Sequence, residues 1–201
     1  MTTPKRTERS RILILDAAHA AFGEKGFAAT SVEEIARRAG LTRKTVYNLF
    51  ASKDDIALQL IARVEANDAP YRDRMADGED ALRLLEDVFL DSAAWCLANP
   101  SLAKLALAPA ERPSFEPPPG RPSFQRLVGD ILMLGQRQGV IRKDDAPNFM
   151  ALILLGIYGQ AMLSALAGGQ LNKDEIKHII RIVVEGIGEP SLRRGVVSRS
   201  S

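Results

Sequence analysis

The chain has 201 residues, 46% of them hydrophobic and 26% charged, which is enough to bury a core as one large domain or two small ones and too apolar for a disordered polymer. Cys96 is the single cysteine, which excludes an intrachain disulfide or a multi-cysteine metal site and suits a reducing cytosol. The net charge of +2 hides an asymmetry: residues 1–53 carry ten Lys and Arg against five Asp and Glu, a balance of +5, while residues 54–201 carry seventeen against twenty, a balance of −3. The expected organisation is a basic module facing a polyanion, joined to a larger, mildly acidic body.

The N-terminal MTTPKRTERSR is polar and basic with no apolar run ahead of a cleavage site, so no secretory signal is predicted and the protein is expected to be cytoplasmic. From Arg9 to Glu24 the residues Ile14, Ala17, Ala18, Ala21 and Phe22 recur at three- and four-residue steps, the pattern of one buried helical stripe. Gly26 suits a C-terminal stop, because glycine enters the left-handed region without a Cβ clash. A second helix is predicted from Thr30 or Ser31 to about Ala39, with Ser31 and Glu34 spaced as a capping box, and a third from Thr42 to Leu49. Ser52 with Asp54 and Asp55 reads as the cap and acidic first turn of a fourth. Further helices are predicted over residues 53–68, 79–98, 101–108, 122–139, 146–168 and 172–187. No run alternates apolar and polar residues as a half-buried strand would, so the fold class is all-α. Pro109–Pro122 is too rich in proline for a helix and is expected to be an extended connection. The C-terminal RRGVVSRSS reads as a frayed tail.

The stretch IARRAGLTRKTVYNLF, Ile35–Phe50, carries the clearest chemistry. In a helix-turn-helix unit two short helices cross closely. Ala36 is small where they would meet, Gly40 permits the sharp turn, and Val46 offers a stiff apolar contact on the second helix. Ile35, Ala39 and Leu41 would face the core. The outward side chains are then Thr42, Arg43, Lys44, Thr45, Tyr47 and Asn48. Arg and Lys can bond the O6 and N7 edge of guanine, Asn can pair with adenine, and a Thr methyl can touch the thymine methyl, all in the major groove. Thr30, Ser31, Thr42 and Lys53 lie near helix N-termini, where free N–H groups and the helix dipole favour phosphate. The competing reading is a solvated charged surface; the agreement of spacing, turn glycine and charge favours a duplex-facing one. The basic arm at Lys5, Arg6 and Arg9 could reach a neighbouring groove or simply be a solvated tail.

The segments LDAAHAAFGEKGF, TSVEEIARRAGLT and TVYNLFASKDDI resemble the DNA-binding domain of TetR-family transcriptional regulators. The likeness spans about a quarter of the chain. It implies an all-α homodimer with an N-terminal helix-turn-helix domain that binds a palindromic operator and a C-terminal domain that binds a small molecule. By resemblance Thr30, Thr42, Tyr47 and Lys53 match backbone-contacting positions, and Arg43, Lys44, Thr45 and Asn48 match base-facing positions. Lys44 and Asn48 stand where family members often have glycine and histidine, so the base preference is this chain's own. The resulting domain assignment is residues 1–52 for DNA binding, with about 1–8 as a flexible arm, and residues 53–201 for effector binding and dimerisation, with about 189–201 as a flexible tail.

Between Pro147 and Leu171 there is no charged residue. The length would suffice for a membrane span, but Asn148, Tyr158, Gln160, Ser164 and four glycines argue for a helix buried on all sides, and no membrane role is expected. With the stripe of the last helix it would build a four-helix dimer interface, for which Ile153, Gly156, Ile157, Gln160, Ile176, Ile180, Val183 and Ile187 are the candidates; the same pattern would also serve a monomeric core. Phe89, Ser92, Trp95, Cys96, Phe124, Leu127, Met133, Tyr158 and Met162 could line a pocket for a small hydrophobic effector or simply fill the core. An enzyme is not expected: His19 and His178 are the only histidines, with no Cys-His pair, metal-ligand set or phosphate-binding glycine loop, so neither a catalytic group, a metal nor a cofactor is assigned. The function read from the sequence is a DNA-binding regulator, most simply a repressor released by an effector. The alternative is a DNA-bound structural or interaction protein of the same fold without an effector.

Overall fold

The computed structural model describes residues 6–107, 123–169 and 171–187, and every regular element among them is helical. Ten helices follow one another: α1 Arg6–Ala29, α2 Val32–Arg38, α3 Arg43–Leu49, α4 Lys53–Glu65, α5 Ala69–Ala76, α6 Ala81–Ala98, α7 Pro100–Leu107, α8 Phe124–Gln138, α9 Pro147–Leu166 and α10 Lys173–Ile187. The extended connection expected at Pro109–Pro122 and the tail expected at 189–201 lie outside the described residues. So does the start of the expected arm, whose Arg6, Thr7 and Glu8 already belong to α1.

Contacts divide the chain into two compact units, Met1–Val64 with Trp95–Ala110 and Glu65–Ala94 with Glu111–Ser201. The first unit therefore takes in most of α4 as well as α7, which the sequence reading places in the larger body. Its core is built from the expected α1 stripe of Ile14, Ala17, Ala18 and Phe22, joined by Val32, Ile35, Ala36, Val46, Phe50, Ile56, Ala57, Leu60 and Leu102. Trp95 and Leu105 pack against the same cluster. Gly26 has φ 79° and ψ 164° inside the residues assigned to α1 and kinks them there, a conformation open essentially to glycine alone, which would cost an L side chain about 1–3 kcal/mol.

The turn between α2 and α3 is set by Gly40, at φ 67°. Its N–H donates to the Arg37 carbonyl (3.2 Å), and the Leu41 N–H donates to the Ala36 carbonyl (2.9 Å). These two bonds satisfy the open carbonyls of α2 and redirect the chain in a Schellman motif. Thr42 then caps α3, its hydroxyl accepting from the Thr45 N–H at 3.1 Å.

In the second unit α8 packs along α9, and α10 packs against α9. Val128, Ile131, Leu132, Met150, Ala151, Leu154, Met162 and Ile180 are buried there. The helix α5 was not expected. None of its residues is buried; it is held by Tyr71 donating to Asp91, by Arg72 paired with Asp68 and Asp130, and by Arg74 paired with Glu79 and Asp87.

Candidate nucleic-acid interface

The α3 helix offers its two sides to different surroundings. Val46 and the cap residue Phe50 are buried in the first unit's core, while Thr42, Arg43, Lys44, Tyr47 and Asn48 are exposed and Thr45 is half-buried. The spacing places Lys44 and Asn48 one turn apart, and Arg43 and Tyr47 likewise. The Arg43 guanidinium lies over the Tyr47 ring, 5.3 Å from its centroid, and pairs with Glu33 of α2 at 2.7 Å. Hydrogen bonding to Tyr47, and then the charge of Glu33, hold Arg43 more firmly in its charged form than a free arginine. The Thr42 and Thr45 hydroxyls share a hydrogen bond of 2.9 Å.

A clamp joins α2 to α1. Arg38 meets both carboxylate oxygens of Glu24 (2.9 and 2.7 Å) and also bonds Glu34, which accepts from Lys25 at 2.7 Å. Arg38 and Lys25 hold the Glu24 and Glu34 carboxyls below their usual range, through Arg38 chiefly for Glu24 and through Lys25 first for Glu34. Arg11 of α1 reaches the Leu49 carbonyl at 3.0 Å and lies over Phe50. It thus ties the C-terminal end of α3 to α1, a role the sequence reading missed. The signal available was only an arginine three residues before Ile14, the first member of the apolar stripe.

Two of the expected phosphate ligands are committed elsewhere. Thr30 is 2% exposed, and its hydroxyl donates toward the carbonyls of Gly26 (2.8 Å) and Ala21 (3.2 Å). The Lys53 ammonium donates to the carbonyls of Phe27 (2.8 Å) and Thr30 (3.0 Å) and sits 4.3 Å from the Phe27 ring centroid. Both finish the kinked end of α1, where backbone carbonyls lack helical partners. Ser31, by contrast, is exposed, and its hydroxyl caps α2 by accepting from the Glu34 N–H at 3.2 Å.

In the second unit, Phe89 packs edge-on against Phe124 (5.5 Å) and Tyr158 (4.7 Å). The Tyr158 hydroxyl donates to Ser92 Oγ at 3.0 Å. Leu127 and Met162 are buried as well. Three of the residues grouped with them in the sequence stand apart: Met133 is 44% exposed, and Trp95 and Cys96 fall in the first unit, Trp95 against its core.

The residues proposed for an interface also separate. Ile153, Gly156, Ile157 and Gln160 of α9 are exposed, with Ile153 at 40% and Ile157 at 46%, and Phe149 extends the same side. Ile176, Ile180 and Val183 are instead buried within the chain itself. A helical stripe reveals that a face is covered, not whether its own chain or a partner covers it. Among the described side chains of α10 the exposed large apolar one is Ile182; the side chains of Val184 and Ile187 lie outside those described.

Residues 14–60 match the family of bacterial regulatory proteins of the tetR type. Over 94% of this chain and 99% of its own length, a transcriptional repressor of the helix-turn-helix type from Rhodococcus jostii, KstR2, is 26% identical. A regulator of the same type from Aromatoleum, HbdR, is 36% identical over 64 residues, 32% of this chain and 28% of its own. Among solved structures, the TetR-family repressor FadR of Thermus thermophilus, in complex with lauroyl-CoA, superposes with a TM-score of 0.71 at 25% identity, covering 95% of this chain and 97% of that one.

Proposed function

We propose, from the premise that this chain is a regulatory protein of the TetR family, that it acts as a homodimeric repressor that occupies a palindromic operator and leaves it when a small apolar effector binds its C-terminal body. The observation that carries the DNA-binding part is the two-sided α3: Val46 and Phe50 anchor it, and Arg43, Lys44, Tyr47 and Asn48 stand exposed together. In the dimer two such helices enter successive major grooves about 34 Å apart on one face of the duplex. Arg43, Lys44, Thr45 and Asn48 read base edges, while Ser31, Thr42 and Tyr47 contact phosphates. Thr30 and Lys53 act indirectly, by fixing the end of α1 on which this surface rests.

The dimer face is the exposed apolar side of α9, Phe149, Ile153 and Ile157, with Ile182 of α10. An exposed apolar side on a helix this long, at Ile153 and Ile157 above all, is what a partner subunit accounts for. The same reading keeps the chain in the cytoplasm with its DNA, and it needs no enzyme activity. For the effector, the aromatic group Phe89, Phe124 and Tyr158 offers apolar walls and the Tyr158–Ser92 pair a polar point of attachment, the usual make-up of a small-molecule site. The lauroyl-CoA held by the Thermus thermophilus repressor makes acyl-CoA thioesters the first class to try. Helix α6 is uninterrupted from Ala81 to Ala98, yet its residues to Ala94 belong to one unit and those from Trp95 to the other.

Selection of bound duplexes from a random pool tests this reading. The expected result is a two-fold symmetric consensus, on which Arg43→Ala relaxes base choice at one position per half-site by roughly 1–3 kcal/mol. Equal losses on consensus and unrelated DNA would remove Arg43 from base reading.

A further inference from the structure

Arg43 does not stand free in front of α3. Its guanidinium is folded back over Tyr47 and held 2.7 Å from the Glu33 carboxylate. The other acid of the α2 first turn, Glu34, is already occupied by Lys25 and Arg38, so Glu33 is the carboxylate of that turn turned toward α3. Both partners are exposed, and they lie on the surface assigned above to DNA.

We infer that Glu33 is a specificity-determining residue of this surface, a built-in stand-in for phosphate that occupies Arg43 until a base edge draws it away. This rests on the reading that α3 faces DNA. A carboxylate offers arginine the same pair of acceptor oxygens as a phosphate diester, with like geometry. On unrelated DNA, exchanging Glu33 for a phosphate thus gains Arg43 little and leaves Glu33 unpaired beside a polyanion. Guanine at the right position offers O6 and N7 as a two-point acceptor inside the groove, and only there does the exchange favour the complex. Glu33 lowers affinity for DNA in general more than for the operator, and so raises the ratio between them. Its placement at the N-terminal turn of α2 would by itself be explained by the helix dipole. That explanation, unlike the one advanced here, makes the effect of Glu33 independent of Arg43.

The test is a double-mutant cycle of Glu33→Gln, Arg43→Ala and the pair, measured by fluorescence anisotropy over a salt series on the selected consensus duplex and on a scrambled duplex of equal composition. Glu33→Gln is expected to tighten the scrambled complex about two- to fivefold, the range of an exposed ion pair, and the consensus complex less. The salt slope on scrambled DNA is expected to steepen by about one ion. Both changes should vanish in the Arg43→Ala background. An equal gain on the two duplexes, no gain, or a gain that survives Arg43→Ala overturns the inference while leaving DNA reading by α3 intact. If Arg43→Ala changes neither complex, Arg43 does not face DNA, and the base-reading assignment falls along with it.

Discussion

Lys53 and Thr30 have the chemistry of phosphate ligands, and in the folded chain each spends its polar atoms on the backbone of α1 or of the residue just after it. Sequence position placed them near helix starts, but the kink at Gly26 brings carbonyls from the end of α1 to the same place, and a cation and a hydroxyl satisfy them there. Arg43, Lys44, Tyr47 and Asn48 were legible because their exposure follows from helical spacing around one buried residue, Val46. The Arg38 clamp offers a prediction at this scale. Glu24 and Glu34 have carboxyl pKa values below the ordinary 4.5, so the stability they contribute is present above that pH and is lost as the pH falls through their depressed values. Thermal melts taken at falling pH below about 4.5 should lose stability more steeply in the parent chain than in Arg38→Met. Parallel curves would show that the clamp is not the source of the acid sensitivity.

At the scale of elements, periodicity, helped by the cap and the turn glycine at α3, which buries only Val46, located nine of the ten described helices. It missed α5 because α5 buries none: a helix held by Tyr71, Arg72 and Arg74 leaves no hydrophobic period to read. The same limit explains α10. Its stripe of Ile176, Ile180 and Val183 reads as covered, but the cover is the chain's own core, and the exposed apolar side, which the proposed dimer would bury, is that of Ile153 and Ile157 on α9. Replacing Ile180 with Asp should therefore unfold the second unit, at a cost of at least about 3 kcal/mol for an uncompensated buried charge. Ile157→Asp should leave the melt of the isolated subunit nearly unchanged while converting the dimer to monomer in sedimentation, and should weaken operator binding with it. A fully dimeric Ile157→Asp protein would rule out this face.

At the scale of the whole molecule, a regulator must couple an effector to DNA. Lauroyl-CoA and shorter and longer acyl-CoA thioesters, screened by thermal shift, provide the test: a ligand at a hundred times its Kd stabilises the fold by about 2.7 kcal/mol, and a true effector must also weaken binding to the selected duplex. Stabilisation by none of them, with DNA binding intact, would favour the reading in which the body only dimerises or recruits a partner. The sequence by itself determined the all-α class, the helix-turn-helix and its outward residues, because local spacing, caps and turn glycines carry that information within a few residues. Which polar groups are already spent, as with Thr30 and Lys53, and which apolar faces remain uncovered, as on α9, was decided only by tertiary structure, because both depend on groups distant in sequence that folding brings together.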